Sequence, residues 1–169
     1  MNTSRHEIPN ILIGACGSID IIQLPQYLRS IKSKVRCNIS VILTPAARQF
    51  IQLHTLSIFA DRIINGTDVE KWPSEKPSKI VNDHDFMIII PATANTIFEC
   101  AHGGASNRLT TVVLSANFPV LFCPAMGEIM WKRKSVQNNI ALLKNEGFEV
   151  LEPVIVENFD SSLNRKVTH

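Results

Sequence analysis

No apolar run in this sequence is long enough to span a bilayer, so no transmembrane helix is expected. The start, Met1 to Asn10, is polar, and Gly14, Gly17 and Asp20 interrupt the apolar stretch after it; no secretory signal is expected. Charge is also sparse. Charged residues make up 19% of the chain and the formal net charge is +2, too little to point to nucleic acid or an anionic membrane. There is no CxxC pair and no Cys/His spacing suited to a metal. Cys16, Cys37, Cys100 and Cys123 lie far apart in mostly apolar surroundings, as expected of reduced thiols in a cytoplasmic protein. The five histidines, His6, His54, His84, His102 and His169, are scattered, so metal ligation is not expected of them. A GxGxxG fingerprint and an acid placed for a dinucleotide ribose are both missing, which weakens any NAD-dependent reading. Internal repeats and low-complexity tracts are missing too.

What is present is 169 residues with 45% hydrophobic content, enough for one domain over 1–169 with a substantial core. Apolar runs of strand length alternate with segments of helical period. Asn10–Cys16, Cys37–Leu43, Asp85–Ile90, Val120–Cys123 and Phe148–Leu151 read as strands, the third ended by Pro91. Ile19–Ile31, Pro45–Leu53, Ala94–His102 and Ser135–Asn145 read as helices. Ser18 is a candidate N-cap for the first of these, and Pro25 marks a kink or a late start. Strands alternating with helices imply an α/β three-layer sandwich with a parallel sheet, doubly wound. Asn65–Lys79, polar with two prolines, reads as an exposed loop or flap, and Asn158–His169 as a polar tail.

In such a sheet, ligands sit beyond the carboxyl ends of the strands, so the loops there carry the function. Gly14–Ser18 joins the first strand to a helix, an arrangement that suits either a phosphate on backbone N–H groups or a plain tight turn. Thr44-Pro45-Ala46-Ala47 repeats it, as a second phosphate donor or a helix cap. In Pro91–Thr96 (PATANT), small residues let a flat ring approach the backbone while Thr93, Asn95 and Thr96 supply polar groups. No acid or histidine adjoins them to activate a nucleophile, and a pair of capping residues is the alternative reading. Pro124–Trp131 brings Met126, Met130 and Trp131, suited to lining a pocket or filling a gap in the core.

Together these loops resemble the flavin-containing cysteine decarboxylases. That family includes phosphopantothenoylcysteine decarboxylase and the lantibiotic enzymes, of the epidermin and mersacidin type, that decarboxylate a C-terminal peptidyl cysteine. The residues carrying the likeness are Gly14–Asp20 (GACGSID), His54–Asp61 (HTLSIFAD), PATANT, Leu109–Thr111 (LTT), Pro124–Trp131 (PAMGEIMW), Phe148–Pro153 (FEVLEP) and Asn158–Asp160 (NFD). The resemblance implies a flavodoxin-like Rossmann fold with FMN, or alternatively FAD, between protomers of a trimer. It places Gly17, Ser18 and Thr44 at the phosphate, Ala92, Thr93 and Asn95 at the isoalloxazine, and Thr110 and Thr111 at the pocket's completion. Met126, Met130 and Phe159 fall on the substrate side, for a peptide or small thiol. The implied chemistry is hydride removal from the cysteine side chain to give a thioaldehyde, then loss of carbon dioxide to an ene-thiol. The implied assembly is a homotrimer, a dodecamer built from trimers, or a hetero-oligomer.

The sequence departs from that pattern at both catalytic positions. Where the family has a histidine this chain has Pro77, with His84 nearby but too close to the strand, and where it has the asparagine of PxMN this chain has Gly127. Proline transfers no proton and glycine donates no side-chain hydrogen bond. No cysteine follows Cys123, unlike the clamp of the phosphopantothenoylcysteine enzymes, and Asn164 stands where the lantibiotic clamp has a glycine turn. Two expectations follow: a peptidyl-cysteine decarboxylase with an altered or borrowed acid–base group, or a flavin-binding, non-catalytic subunit.

Overall fold

Short runs of branched residues, flanked on both sides by neighbours, build the centre of the sheet. In strand β1 (Asn10–Ala15) alternate side chains enter opposite apolar layers, with Leu12 in one core and Ile13 in the other, both fully buried. The computed structural model describes residues 7–65, 70–153, 155–156 and 167–168. After β1 come β2 (Asn38–Leu43), β3 (Arg62–Ile64), β4 (Phe86–Ala92), β5 (Val120–Pro124), β6 (Met126–Gly127) and β7 (Glu149–Val150), then β8 (Ile155–Val156) and β9 (Val167–Thr168). Six of them form a sheet in the order β3-β2-β1-β4-β5-β7, with every pairing parallel.

Helices cover both faces. Helix α1 (Leu24–Lys34) and α2 (Leu53–Ser57) bury Leu24, Leu28 and Leu56 against Ile13, Ile39 and Val41. On the other face lie α3 (Pro77–Asp83), α4 (Ala94–Ala101), α5 (Arg108–Ser115) and α7 (Lys134–Asn145); the short α6 (Glu128–Trp131) precedes α7. They bury Ile80, Ile97, Leu109, Val112, Ile140 and Leu143 against Leu12, Met87, Ile89 and Phe122. This is the doubly wound sandwich expected from the alternation of elements. No helix among the described residues is long and apolar enough to cross a membrane.

Several elements differ from their sequence expectations, each for a local reason. The first helix begins late: a 3-10 turn over Ile19–Gln23, capped by Ser18, precedes α1, and Pro25 sits in its first turn, where a missing N–H is harmless. Pro45–Leu53 is not a helix; it holds a 3-10 turn at Ala47–Gln49, and Gln52 is extended before α2. Arg48 there reaches across to the carbonyl of Asn65. Strand β4 passes through Pro91 to Ala92 because the pairing with β5 shifts register between Ile89 and Ala92, and proline is tolerated where the ladder is broken. The segment 65–79 is not all exposed loop. Within it, Trp72–Ser74 forms a 3-10 turn, Glu75 is buried in an ion pair with Arg108 at 2.8 Å, and Pro77 opens α3. Strand β9 pairs antiparallel with β6 and β8, setting Gly127 opposite Val167. The rest of the supposed clamp, including Asn158, Phe159 and Asn164, lies outside the described residues.

The amino edge of the sheet is tied by side chains. Asp85 accepts the Asn10 N–H at 3.0 Å, Asn10 donates to the Asp83 carbonyl at 2.9 Å, and Asp83 pairs with Arg62 and Lys79. His84 is buried among them, its Nδ1 2.6 Å from the Ile80 carbonyl oxygen. Burial pushes its imidazole below the ordinary histidine range; the Ile80 bond, Asp83 and Asp85 oppose that, and Arg62 assists it. The folded chain therefore disfavours the protonated ring. Its stability contribution is full above the unfolded value of about 6.5 and is lost as pH falls through it. Urea midpoints should drop between about pH 7.5 and about pH 5.5, and this drop should shrink in His84→Gln. An equal drop in the variant would assign the effect elsewhere. At the core, Phe122 is fully buried, edge-on to Phe148 with ring centroids 5.8 Å apart. Phe122→Ala should cost about 3–5 kcal/mol in denaturant unfolding.

Candidate functional site

The strand order reverses direction between β1 and β4: the chain goes from β1 outward to β2 and β3, then returns to β4 on β1's other side. The loops leaving β1 and β4 diverge there and open a crevice, the usual ligand position in this architecture. Backbone hydrogen bonds hold the surrounding loops edge to edge. Thr44 N–H donates to the Ala15 carbonyl (3.0 Å), Cys16 N–H to Pro91 (3.1 Å) and Ala125 N–H to Ala92 (2.9 Å). The loops after β1 and β2 touch at Gly17, where an added Cβ would stand 2.6 Å from the Ala46 Cβ.

The resulting cavity has a volume of about 620 Å³, within the range of small-molecule sites. Gly17 and Ser18 line it from the loop after β1, and Thr44, Pro45 and Ala46 from the loop after β2. Thr93 to Thr96 line it from the start of α4, with Glu99 one turn on; Ser106 and Asn107 come from the loop before α5, and Ala125, Met126 and Met130 from the segment after β5. The N–H groups of Gly17, Ala46, Ala94 and Asn95 meet no acceptor among the described residues. Those of Ala94 and Asn95 are the orphan donors of a helix start, and Thr93 caps that helix by accepting from Thr96 N–H. Thr44 Oγ1 accepts from Ala47 N–H at 3.2 Å, which leaves its own proton to donate. Ser18 differs: its Oγ donates to Asp20 Oδ2 at 3.1 Å and accepts the Asp20 N–H.

Among the described residues no lysine, arginine or histidine lines the cavity, so an anion there would be held by backbone dipoles and hydroxyls. Glu99 is the one ionisable lining group among the described residues; Ser106 and Thr110 hold its carboxyl below the ordinary range against the opposing effect of burial. The thiols are poor nucleophiles. Burial pushes Cys16 and Cys123 up to about 11 and Cys100 up to about 12. Among the described residues no cluster of His, Cys, Asp or Glu could hold a metal.

Of the residues singled out from sequence, Gly17, Ser18, Thr44, Thr93, Asn95, Met126 and Met130 meet at this one cavity. Ala92 does not line it; it is fully buried beneath, with its carbonyl tied to Ala125. Thr110 is fully buried and Thr111 bonds the Asn107 carbonyl at 2.9 Å, so within one chain both build the α5 start rather than the cavity wall. Trp131 packs on the core. Pro77 and Gly127 lie outside the lining, and a Cβ at Gly127 would meet nothing within 4 Å. Glu99, Ser106 and Asn107 were missed. The signals were present: Glu99 stands four residues after Asn95 on one helical face, and Asn107 with Thr110 forms a capping box.

Unpaired N–H groups beside small residues at the switch point of a doubly wound sheet suit a nucleotide-type cofactor. Comparison with known proteins narrows this class. Residues 1–165 match the flavoprotein family, and the chain belongs to it. It is 35% identical over 160 residues to mersacidin decarboxylase of Bacillus sp. (strain HIL-Y85/54728), covering 95% of this chain and 81% of that one. Among solved structures, a variant of EpiD in complex with the substrate peptide DSYTC superposes with a TM-score of 0.85 at 30% identity, covering 96% of this chain and 92% of that one. TvaF of thioviridamide biosynthesis, described as an FMN-dependent cysteine decarboxylase, gives a TM-score of 0.79 at 28% identity, covering 86% and 90%.

Gly17→Ala should therefore weaken flavin binding by about 10- to 100-fold, since relieving the contact with Ala46 displaces two phosphate-side loops. Fluorescence titration with the apoprotein reads this directly. An unchanged affinity would mean that these loops do not hold the cofactor.

Proposed function

We propose that the chain binds FMN in the switch-point cavity and carries out oxidative decarboxylation of a C-terminal peptide cysteine to an aminoenethiol, in biosynthesis of the lantibiotic type. The observation that carries the reading is the cavity itself, in which unpaired N–H groups and the Thr44 hydroxyl stand beside small apolar side chains. The names of its relatives supply the reaction: a mersacidin decarboxylase, and a structural neighbour bound to a cysteine-terminated peptide.

Gly17 and Ala46 N–H groups and the Thr44 hydroxyl would hold the phosphate; Ser18 would add its proton only by releasing Asp20. Thr93 and Asn95 would face the isoalloxazine, with Ala92 supporting it from below, and Ala94 and Ala125 would leave room for the flat ring. Met126 and the half-exposed Met130 would offer soft contacts to a thiol-bearing substrate. When bound, FMN supplies the two-electron acceptor that turns the cysteine side chain into a thioaldehyde, an electron sink for loss of carbon dioxide. Excluding water falls to the loops around the crevice and to neighbouring copies in a homotrimer or larger assembly, where Thr110 and Thr111 of the α5 start would complete the pocket. The chain reads as a cytoplasmic protein.

One observation favours a second reading. Among the described residues the cavity contains no group suited to shuttling a proton, because their sole ionisable lining side chain is held ionised; the resemblance puts the family's histidine and asparagine at Pro77 and Gly127. The chain would then be a flavin-binding subunit whose partner chain supplies both groups.

The absorbance spectrum of the purified protein and the mass of a cysteine-terminated peptide after incubation decide between them. Bound flavin with loss of carbon dioxide plus two hydrogens supports the enzyme. Flavin without turnover, restored by a histidine-bearing homologue, selects the subunit. Colourless protein that takes up no FMN overturns both. Because Gly127 faces open space, Gly127→Asn fits without a clash. Combined with Pro77→His it should raise the decarboxylation rate by about a hundredfold or more.

A further inference from the structure

Glu99 is fixed in place from several sides. Its Oε1 accepts the Ser106 N–H at 2.7 Å and the Thr110 hydroxyl at 3.1 Å, and its backbone carbonyl accepts the Gly104 N–H at 2.8 Å. Gly104 packs so closely that an added Cβ would stand 2.4 Å from Glu99 Cγ. The carboxylate is thus held in place, borders the cavity, and is the only formally charged side chain among the described lining residues. The usual electrostatic partner of a cofactor phosphate or ring, a lysine or arginine, is not among them.

We propose that Glu99 sets the reduction potential of the bound flavin, its fixed negative charge holding that potential below the value the same site would give with a neutral side chain. The inference rests on the reading that FMN occupies this cavity. Reduction of FMN to its anionic hydroquinone takes up two electrons and one proton, leaving one added negative charge on the ring. A neighbouring carboxylate opposes that charge, and no lysine, arginine or histidine among the described lining residues offsets it. A lowered potential makes the flavin a weaker oxidant and its reduced form a readier donor. Glu99 would therefore favour return of the electrons to an acceptor over their withdrawal from the cysteine side chain.

The test is made on the FMN-loaded protein. Glu99→Gln preserves length and the bond from Ser106 N–H while removing the charge. Its flavin midpoint potential, measured against reference dyes, should move positive while FMN affinity stays close to that of the native chain. Sulfite, an anion that adds to the flavin ring, should bind about tenfold more tightly to the variant. Glu99→Met, also neutral and of similar length, gives the same readout where Glu99→Gln fails to accumulate, and Glu149→Gln on edge strand β7 should change neither quantity. The native holoprotein should itself bind sulfite more tightly as salt rises. Unchanged potential and sulfite affinity in the neutral variants, or salt-independent sulfite binding in the native protein, overturns the assignment while leaving flavin binding intact. A native chain that takes up no FMN overturns it together with the functional reading.

Discussion

Three backbone hydrogen bonds, Thr44 to Ala15, Cys16 to Pro91 and Ala125 to Ala92, set the positions of four loops relative to one another at the carboxyl edge of the sheet. Each continues a strand ladder just as the chain leaves it, so the loops inherit the rigidity of the strands beneath. That rigidity lets dipoles do what charges do elsewhere. An N–H group contributes only a fraction of a charge, and several act together only when their directions are fixed in advance. Gly17 is the tightest point in this arrangement. Any side chain there would separate the loops after β1 and β2, moving the donors of Gly17 and Ala46 apart.

The second wall of the cavity is built by a different device. Helix α4 starts at the capped Thr93 and ends at a turn held by Glu99, and the loop that follows folds back so that Ser106 and Asn107 face the crevice. Asn107 then caps α5, whose buried Thr110 returns a hydrogen bond to Glu99. The Arg108–Glu75 pair carries the tie onward to the segment before α3. Removing one member of such a buried pair leaves an uncompensated charge. The position of the α3 start, where Pro77 stands, therefore depends on the same helix pair that shapes the cavity.

Much of this architecture was legible in the sequence. The strands Asn10–Ala15 and Asn38–Leu43 are mostly apolar runs suited to burial inside a two-sided sheet, and the strand-helix alternation then leaves few topologies. Ser18, Pro25 and Gly17 each carried a local signal that the structure reproduces. What sequence did not reveal was set by tertiary contact. Strand β3 has only three residues, Arg62–Ile64, and exists because β2 offers it an edge. Glu75 lies in a polar, proline-containing stretch that looks exposed; its burial follows from Arg108, thirty-three residues away. Glu99 reads as a surface helix acid until the α5 start folds over it. Thr110 and Thr111 show the converse: the LTT segment matches a family pattern, yet inside a single chain its hydroxyls are used for capping.

Pro77 and Gly127, the two positions singled out by the resemblance, are both helix starts. Pro77 opens α3, where proline's fixed φ and missing N–H are at home, and Gly127 is the N-cap of α6, extended at φ −63° and ψ 147°. Proline and glycine at such positions cost the fold little. A side chain at 77 or 127 would leave the sheet, the loop ladder and the N–H donors of the cavity in place. The N–H donors of the cavity and these two helix starts therefore lie on separate parts of this molecule. The cradle is made of backbone and small side chains that no exchange at 77 or 127 touches. Pro77 and Gly127, each half-buried at a helix start, stand apart from that lining.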